Sequence, residues 1–202
     1  MTFLLRAHAS GPYDVVILGG GILGCAIAAR LSTTTAKVLL IESTGDVANG
    51  ASKGNAGVTV SYYADAGTLD TRLINESSLL WENISARLDV PFRRLGGVMV
   101  ARTDEEADRL PAILEDALAC GAPAELLTAA QTRALEPLVT DTCRGSLHLP
   151  AEGCIDSVRL CTAYANVARI NGVDFAFETR TTRVDHEPDL GVSHLETTAG
   201  RF

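Results

Sequence analysis

The sequence lacks the features that mark membrane-spanning, disulfide-bonded and zinc-binding proteins. No apolar run approaches the ~20 residues that cross a bilayer, and the apolar part of the opening MTFLLRAHAS is too short to predict a secretory signal. The five cysteines are odd in number, widely spaced and contain no CxxC, so we expect neither a disulfide framework nor a metal site. These absences predict a cytoplasmic protein, with peripheral membrane association still open.

Positive charge is also scarce. The 17 Lys and Arg residues are outnumbered by 25 Asp and Glu residues, and the formal net charge is −8. Such a surface repels a nucleic-acid backbone, so we expect a small-molecule partner and no nucleic acid. With 202 residues, of which 47% are hydrophobic, the chain is long enough for one large globular domain or two small ones.

The stretch GGGILG, residues 19–24, joins two elements of a predicted βαβ unit. Before it, the run VVIL is apolar without alternation, which is typical of a parallel strand covered on both faces. A helix is expected from about Ile22 to Leu31. The apolar run VLLI that follows predicts a second buried strand, which ends at Glu42.

Three glycines match the GxGxxG pattern of dinucleotide-binding folds. Gly19 allows a tight turn, Gly21 allows a pyrophosphate to approach the backbone, and Gly24 allows the helix to pack closely on the strand. The first helical residues, Ile22 and Leu23, present backbone N–H groups and the positive end of the helix dipole to that diphosphate.

Glu42 lies at the end of the second strand, where an acid accepts hydrogen bonds from ribose hydroxyls. A carboxylate at this position also repels a ribose 2′-phosphate, so NADP is disfavoured. Cys25 follows the third glycine directly. Because nothing near it in the sequence can pair with it, we interpret it as a small packing residue.

The nucleotide-binding fold is interrupted after Glu42. The next strand with a central character, Val173 to Phe177, follows about 130 residues later, whereas an NAD-binding Rossmann domain continues promptly. The intervening stretch predicts a helix from Thr68 to Leu88 and a strand from Phe92 to Ala101, and a hairpin is expected near the end of the chain. The predicted fold class is α/β, a Rossmann-like domain with an inserted α+β segment. This arrangement suits a flavoprotein whose nucleotide-binding domain is interrupted by parts of a substrate domain. We therefore divide the chain into residues 13–66 and 151–202 for FAD binding and residues 67–150 for a substrate domain.

Longer stretches of the sequence resemble the FAD-dependent oxidoreductases of the D-amino-acid-oxidase type. Within this family they resemble the glycerol-3-phosphate dehydrogenase and 2-hydroxyglutarate oxidase branch. The matching pieces are YDVVILGGGILGCAIAARL, VLLIE, GASKGNAGV, GTLDTRLINESSLLWENISARLDVPFRRLGGVMVA, GSLHLPAEGCIDSVRL and NGVDF. The resemblance implies FAD as the cofactor and a glutathione-reductase-type layout. It implies that Val184 contacts the adenine through its backbone, and that the loop around the diphosphate contains Ser52, Lys53, Asn55 and Gly57.

Two departures from this family are visible. Relatives of the hydroxyacid-oxidising branch often have a histidine shortly after the Asn-x-Gly pair, but here the run is GVTVS, and no catalytic base can be named. An amine or amino-acid substrate therefore stays open. Relatives also continue beyond the position of Phe202, so we expect a chain truncated at its C-terminus, with exposed apolar surface and a partner chain or second copy to cover it. The four histidines of the chain are expected to be packed or solvent-facing; they are His8, His148, His186 and His194.

These patterns predict a FAD-dependent oxidoreductase, or its N-terminal half, that transfers a hydride to flavin from a small hydroxy-acid, polyol-phosphate or amino-acid substrate. A different class of protein is the alternative, namely a non-catalytic dinucleotide-binding fragment or a subunit that needs a partner chain. An NAD-dependent dehydrogenase is a further alternative, and it requires the glycine-rich loop after Glu42 to be incidental.

Overall fold

The computed structural model describes residues 12–63, 65–189 and 191–202. The opening segment and His8 lie outside the described residues. The elements in chain order are β1 (Val15–Leu18), α1 (Ile22–Leu31), β2 (Val38–Ile41), β3 (Val58–Thr59), α2 (Leu69–Ser78), α3 (Trp81–Leu88), β4 (Phe92–Arg94), β5 (Gly97–Ala101), α4 (Asp104–Ala119), β6 (Glu125–Thr128), α5 (Ala129–Leu135), β7 (Gly145–Leu149), β8 (Gly153–Ile155), α6 (Ser157–Ile170), β9 (Asp174–Ala176), β10 (Thr181–Glu187), β11 (Val192–Thr197) and β12 (Gly200–Arg201).

The chain divides into two compact units. The described residues of the first unit run to Asn55 and resume with Ser157–Phe202, and the second unit is Ala56–Asp156. These limits differ from the divisions drawn after residues 66 and 150. Strand β3 pairs with β8 in a sheet of the second unit, which is why the chain leaves the first unit before residue 58. The roles of the segments as FAD-binding and substrate domains stay a prediction.

The first unit is built on a parallel sheet of order β1-β2-β9. Strand β2 is buried along its whole length because it pairs with β1 on one side and β9 on the other. One face of the sheet packs on helices α1 and α6 through a core that includes Cys25, Ala28, Leu40, Cys161 and Phe175. The hairpin of β10 and β11 contributes Leu195 to a second core formed with Leu39 and Ile41.

The arrangement confirms the predicted βαβ unit and the parallel return strand, but one detail was wrong. The run Val15–Leu18 was expected to be covered on both faces, and Val173–Phe177 to be central. Among the described strands β1 and β9 are the two edges of the sheet, and Leu18 is 51% exposed. A non-alternating apolar run identifies a parallel strand but contains no information on how many neighbours the strand has.

The second unit contains two antiparallel three-stranded sheets, of order β3-β8-β4 and β5-β7-β6. Helix α4 packs on the second of these sheets through Leu110 and Ala117, which contact a core that includes Leu147 and Leu149. A capping box opens α5, where the Thr128 and Gln131 side chains each accept from the other residue's backbone N–H.

Two continuous elements predicted in this unit are each divided in the structure. The helix expected from Thr68 to Leu88 is two helices, α2 and α3, because the chain turns at Leu79 and Leu80. Apolar residues continue at helical spacing across this turn, so the pattern hides it. The strand expected from Phe92 to Ala101 is β4 and β5, which belong to different sheets. Gly96 between them has φ +72°, a left-handed conformation that ends the first strand.

Candidate dinucleotide-binding site

The glycine turn connects β1 to α1 with the geometry that the sequence predicts. Gly19 has φ +107°, which a residue with a side chain rarely adopts, and its N–H donates to the Ile41 carbonyl at 2.8 Å. A Cβ atom on Gly24 would overlap the Gly19 carbonyl oxygen. The helix can therefore start this close to the strand only with glycine at both positions.

Helix α1 begins at Ile22, with Gly21 as its N-cap. The Ile22 N–H donates to the Ser52 hydroxyl at 2.9 Å, so a loop side chain that is itself buried supplies the cap. A Cβ atom on Gly21 would lie 3.3 Å from that hydroxyl. The Leu23 side chain is 76% exposed. The N–H groups of the first turn have no intrahelical acceptor and carry partial positive charge, which makes this end of the helix suitable for an anion.

Glu42 is bound to the glycine turn directly. Its Oε2 atom accepts from the Gly20 N–H at 2.7 Å, and its Oε1 atom accepts from the N–H and the hydroxyl of Thr44 at 2.7 and 2.9 Å. Burial raises the pKa of Glu42, but the hydrogen bonds from Gly20, Thr44 and Ser43 outweigh it and hold the pKa below its usual value. The carboxylate is therefore ionised at neutral pH, and Oε2 keeps a lone pair for a further donor.

The loop residues named by the resemblance differ in their surroundings. Lys53 is exposed, and its N–H donates to the Gly50 carbonyl at 3.0 Å. Asn55 closes the loop, because its side-chain amide donates to the carbonyls of Ala51 and Ser52 at 3.0 and 2.8 Å. Ser52, Lys53 and Asn55 thus lie on the same short segment as the cap of α1.

Gly57 and Val184, the other two residues implied by the resemblance, do not lie on this segment. Gly57 belongs to the second unit, where its φ is +70° and a Cβ atom would overlap the Ile155 carbonyl oxygen. Val184 lies on β10 of the first unit, opposite Leu195 in the ladder with β11, and its side chain is 54% exposed.

The histidines within the described residues have ordinary polar partners. His148 pairs with Glu125 at 2.9 Å, His194 with Glu187 at 3.0 Å, and His186 with the Ser193 hydroxyl at 3.1 Å. The neighbouring tyrosines Tyr62 and Tyr63 differ in their surroundings. The Tyr62 hydroxyl donates to Asp116 at 2.7 Å, which together with burial raises its pKa to about 12, whereas Tyr63 is 82% exposed. None of these groups stands out as a catalytic base.

One relationship was missed from the sequence. Cys25 was interpreted as unpaired, but its Sγ atom lies 3.5 Å from the Cys161 Sγ atom, and both sulfurs lie 3.4 Å from the Gly20 carbonyl oxygen. The two residues are 136 positions apart, and no local pattern connects them. Gly20 itself was also missed, although it contacts Glu42 and both thiols.

A second polar cluster lies in the second unit. Burial raises the pKa of Glu152, although a hydrogen bond from the Ser61 N–H opposes this. Among the described residues, the buried hydroxyls of Thr59 and Ser61 have no hydrogen-bond partner. The half-buried carboxyl and two unsatisfied hydroxyls are unusual in a protein interior.

Within the described residues no group of His, Cys, Asp and Glu side chains is arranged to hold a metal ion. Nor does the described part of the chain contain a helix that is both long and apolar enough to cross a bilayer.

The fold and the glycine turn are typical of dinucleotide-binding α/β proteins whose Rossmann-like sheet is interrupted between its second and third strands. Residues 14–202 match the family model of the FAD dependent oxidoreductases called DAO, and the chain belongs to that family. This confirms the family and the fold class that the sequence indicates.

Similar proteins include several oxidoreductases. The chain is 32% identical to the glycerol 3-phosphate dehydrogenase of Caloramator mitchellensis, with 89% of this chain and 38% of that protein covered. It is 29% identical to the glycine oxidase of Geobacillus kaustophilus, with 94% of this chain and 52% of that protein covered. The structure of L-alpha-glycerophosphate oxidase from Mycoplasma pneumoniae with FAD bound superposes with a TM-score of 0.85 at 26% identity, covering 94% of this chain and 50% of that one. The chain thus spans about half the length of these relatives or less.

Proposed function

We propose that this chain binds FAD and forms the cofactor-binding part of an oxidoreductase that oxidises a small hydroxy-acid, polyol-phosphate or amino-acid substrate. The observation that carries the proposal is the direct hydrogen bond between the ionised Glu42 and the N–H of Gly20. It holds the acid at the glycine turn, where a dinucleotide presents its diphosphate and its adenosine ribose side by side.

The diphosphate is assigned to the first turn of α1. Gly19, Gly21 and Gly24 keep the backbone free of side chains there, and Ile22 and Leu23 begin the helix, with the Ile22 N–H held by the Ser52 hydroxyl. The space beside Gly21 is a cradle that a Cβ atom would fill, since such an atom would reach to 3.3 Å from the Ser52 hydroxyl. These residues fit a diphosphate. The exposed Lys53 adds positive charge on the segment that carries Ser52.

The ribose is assigned to Glu42. Its Oε2 atom accepts one hydrogen bond from the described residues and can accept a second from a ribose hydroxyl. Because the pKa of Glu42 is lowered, the group is an anion at neutral pH and repels a 2′-phosphate. The backbone of Val184 is assigned to the adenine, and Asn55 and Gly57 to the loop that approaches the flavin. These three roles rest on the family resemblance.

FAD supplies the redox chemistry, since its flavin accepts a hydride from a substrate carbon. The residues of this chain bind and orient the cofactor, and no described residue is assigned as the base. A non-catalytic nucleotide-binding subunit is the alternative from another class. Anaerobic addition of glycerol 3-phosphate, 2-hydroxyglutarate or glycine distinguishes the two, because a catalytic protein loses its flavin absorbance with a substrate and a binding subunit does not.

The edge strand β1 supports a proposal about partners. Within the described residues β1 pairs with β2 alone and exposes half of Leu18. We propose that a further chain segment or a second copy covers this edge, because open apolar edges promote association. None of the five cysteines is in a disulfide bond, which supports a reducing, cytoplasmic location.

FAD affinity of two glycine variants tests the proposal. Gly21→Ala introduces a Cβ atom whose nearest neighbour is the Ser52 hydroxyl at 3.3 Å, so we expect the variant to fold while its new methyl group blocks the diphosphate. We expect FAD binding at least about tenfold weaker, equivalent to ~1.4 kcal/mol. Gly50→Ala is the matched control, since its Cβ atom would meet no heavy atom within 4 Å. Equal FAD affinity of both variants and the unchanged chain would overturn the proposal.

A further inference from the structure

The two cysteines beneath the glycine turn form a dithiol whose geometry is defined by three contacts. The Sγ atoms of Cys25 and Cys161 are 3.5 Å apart. Each sulfur also lies 3.4 Å from the Gly20 carbonyl oxygen, to which it can donate its proton. Both side chains are fully buried, and both residues are free thiols.

Small side chains bring the helices that carry these thiols together. Ala28 of α1 and Ala165 and Ala168 of α6 belong to the same buried cluster as the two cysteines. Because alanine lets helix backbones approach closely, the thiols face each other without a bulky residue between them. The contact is therefore a feature of the helix packing of the first unit.

The two thiols are chemically unequal. The hydrogen bond that they share raises the pKa of Cys25, and burial raises it further. The same hydrogen bond lowers the pKa of Cys161, with burial opposing and the Ala48 N–H assisting. Whichever thiol loses its proton acts as the nucleophile, since a thiolate reacts and a thiol does not, and we assign this role to Cys161, whose pKa is lowered.

We propose that Cys25 and Cys161 are a disulfide-forming pair, oxidised by a hydroperoxide, and that their oxidation state controls the affinity of the glycine turn for its nucleotide. The second half of this statement rests on the proposed function, whereas the first half is independent of it.

The reaction with hydrogen peroxide balances in two steps. The Cys161 thiolate attacks one peroxide oxygen and the O–O bond breaks, which leaves a sulfenic acid on Cys161 and a hydroxide that takes up the proton lost by the thiol. The Cys25 sulfur then attacks the sulfenic sulfur, the S–S bond forms, and the hydroxyl group leaves as water with the Cys25 proton. Two thiols lose two electrons and two protons, and one peroxide becomes two waters.

Oxidation changes the glycine turn through Gly20. The carbonyl oxygen of Gly20 loses both thiol donors and keeps the Ala48 N–H at 2.9 Å. The sulfurs must also move together, because a disulfide bond is about 2 Å long. Cys25 lies in the first turn of α1, one residue after Gly24, so this movement displaces the N–H groups assigned to the diphosphate.

The test combines a thiol count with a nucleotide titration of the full chain. After peroxide treatment the number of titratable thiols in denaturant should fall by two from the five of the reduced chain, and a peptide map should contain the Cys25–Cys161 linkage. FAD affinity should fall by about tenfold and return with dithiothreitol. Cys161→Ser keeps a donor for Gly20 but cannot form the bond, so its FAD affinity should not respond to peroxide.

Cys154→Ser is the matched control, because it removes one partly exposed cysteine and leaves the pair intact. It should retain both the linkage and the peroxide response. Absence of the Cys25–Cys161 peptide in the unchanged chain overturns the disulfide assignment. If the Cys25–Cys161 disulfide forms but FAD affinity does not change, the proposed effect of oxidation on nucleotide binding is wrong. If the reduced chain does not bind FAD at all, the proposed function fails, while the thiol count still decides whether the pair forms a disulfide.

Discussion

The Glu42 carboxylate accepts a hydrogen bond of 2.7 Å from the backbone N–H of Gly20, 22 residues earlier in the chain. The bond connects the end of β2 to the turn between β1 and α1. An acid that also accepts two hydrogen bonds from Thr44 orders the loop that follows β2. Glu42 is therefore a structural residue of the turn as well as the proposed ribose ligand.

Replacement of Glu42 should lower the free energy of unfolding and should also make that free energy less sensitive to acid. The folded pKa lies below the unfolded value of about 4.3, so the stabilisation is present above that pH and is lost as the pH falls through the folded pKa. Glu42→Gln should reduce the free energy of unfolding by about 1 kcal/mol at pH 7. Its loss of stability between pH 5 and pH 3 should be smaller than that of the unchanged chain.

Urea unfolding at several pH values measures this effect. Glu115→Gln is the control, since Glu115 is exposed on α4 of the second unit. A Glu42→Gln variant with the acid response of the unchanged chain would contradict the role assigned to the Gly20 contact.

Gly24→Ala should destabilise the first unit. The new Cβ atom would overlap the Gly19 carbonyl oxygen, a backbone atom that cannot rotate away. Overpacking of this kind costs about 1–3 kcal/mol. Urea unfolding followed by circular dichroism should show the loss for Gly24→Ala and little change for Gly50→Ala. Equal stability of the two variants would mean that the helix starts farther from the strand.

Glu152→Gln should have the opposite effect. Burial raises the folded pKa of Glu152 above its unfolded value, so the folded state favours the protonated form and loses stability as the pH rises through the unfolded and then the folded pKa. The neutral amide avoids this loss, and the variant should unfold at higher urea than the unchanged chain at pH 7 but not at pH 4. A lower midpoint at pH 7 would show that the ionised carboxylate has a binding partner.

Thr128→Ala should remove the capping box of α5. The Thr128 hydroxyl accepts from the Gln131 N–H, and the Gln131 side chain accepts from the Thr128 N–H. Loss of such a cap costs about 1 kcal/mol. Thermal unfolding measures the change, with Thr142→Ala as an exposed control whose hydroxyl lies 3.1 Å from the Thr140 hydroxyl. An unchanged midpoint for Thr128→Ala would show that the capping box does not stabilise α5.

Most of the first unit could be predicted from local patterns in the sequence. The strands Val15–Leu18 and Val38–Ile41, the helix between them and the acid at its end follow from apolar periodicity and glycine spacing, because each depends on neighbours within a few residues. The family resemblance adds the cofactor and the interrupted layout.

Contacts between distant segments could not be predicted in the same way. The approach of Cys161 to Cys25 depends on how α6 packs on α1, and the edge position of β1 depends on strand order. The break between α2 and α3 was hidden because Leu79 and Leu80 continue the apolar spacing through a turn. The raised pKa of Glu152 likewise arises from burial, which a lone acid in a loop does not reveal.

A comparison of FAD with FMN tests the central assignment most directly. The glycine turn and Glu42 are assigned to the diphosphate and the adenosine ribose, and FMN contains the flavin but neither of these parts. Titration of the reduced chain, followed by flavin fluorescence, should show FAD bound and FMN bound at least about 100-fold more weakly, equivalent to ~2.7 kcal/mol. Equal affinity for the two flavins would contradict the account.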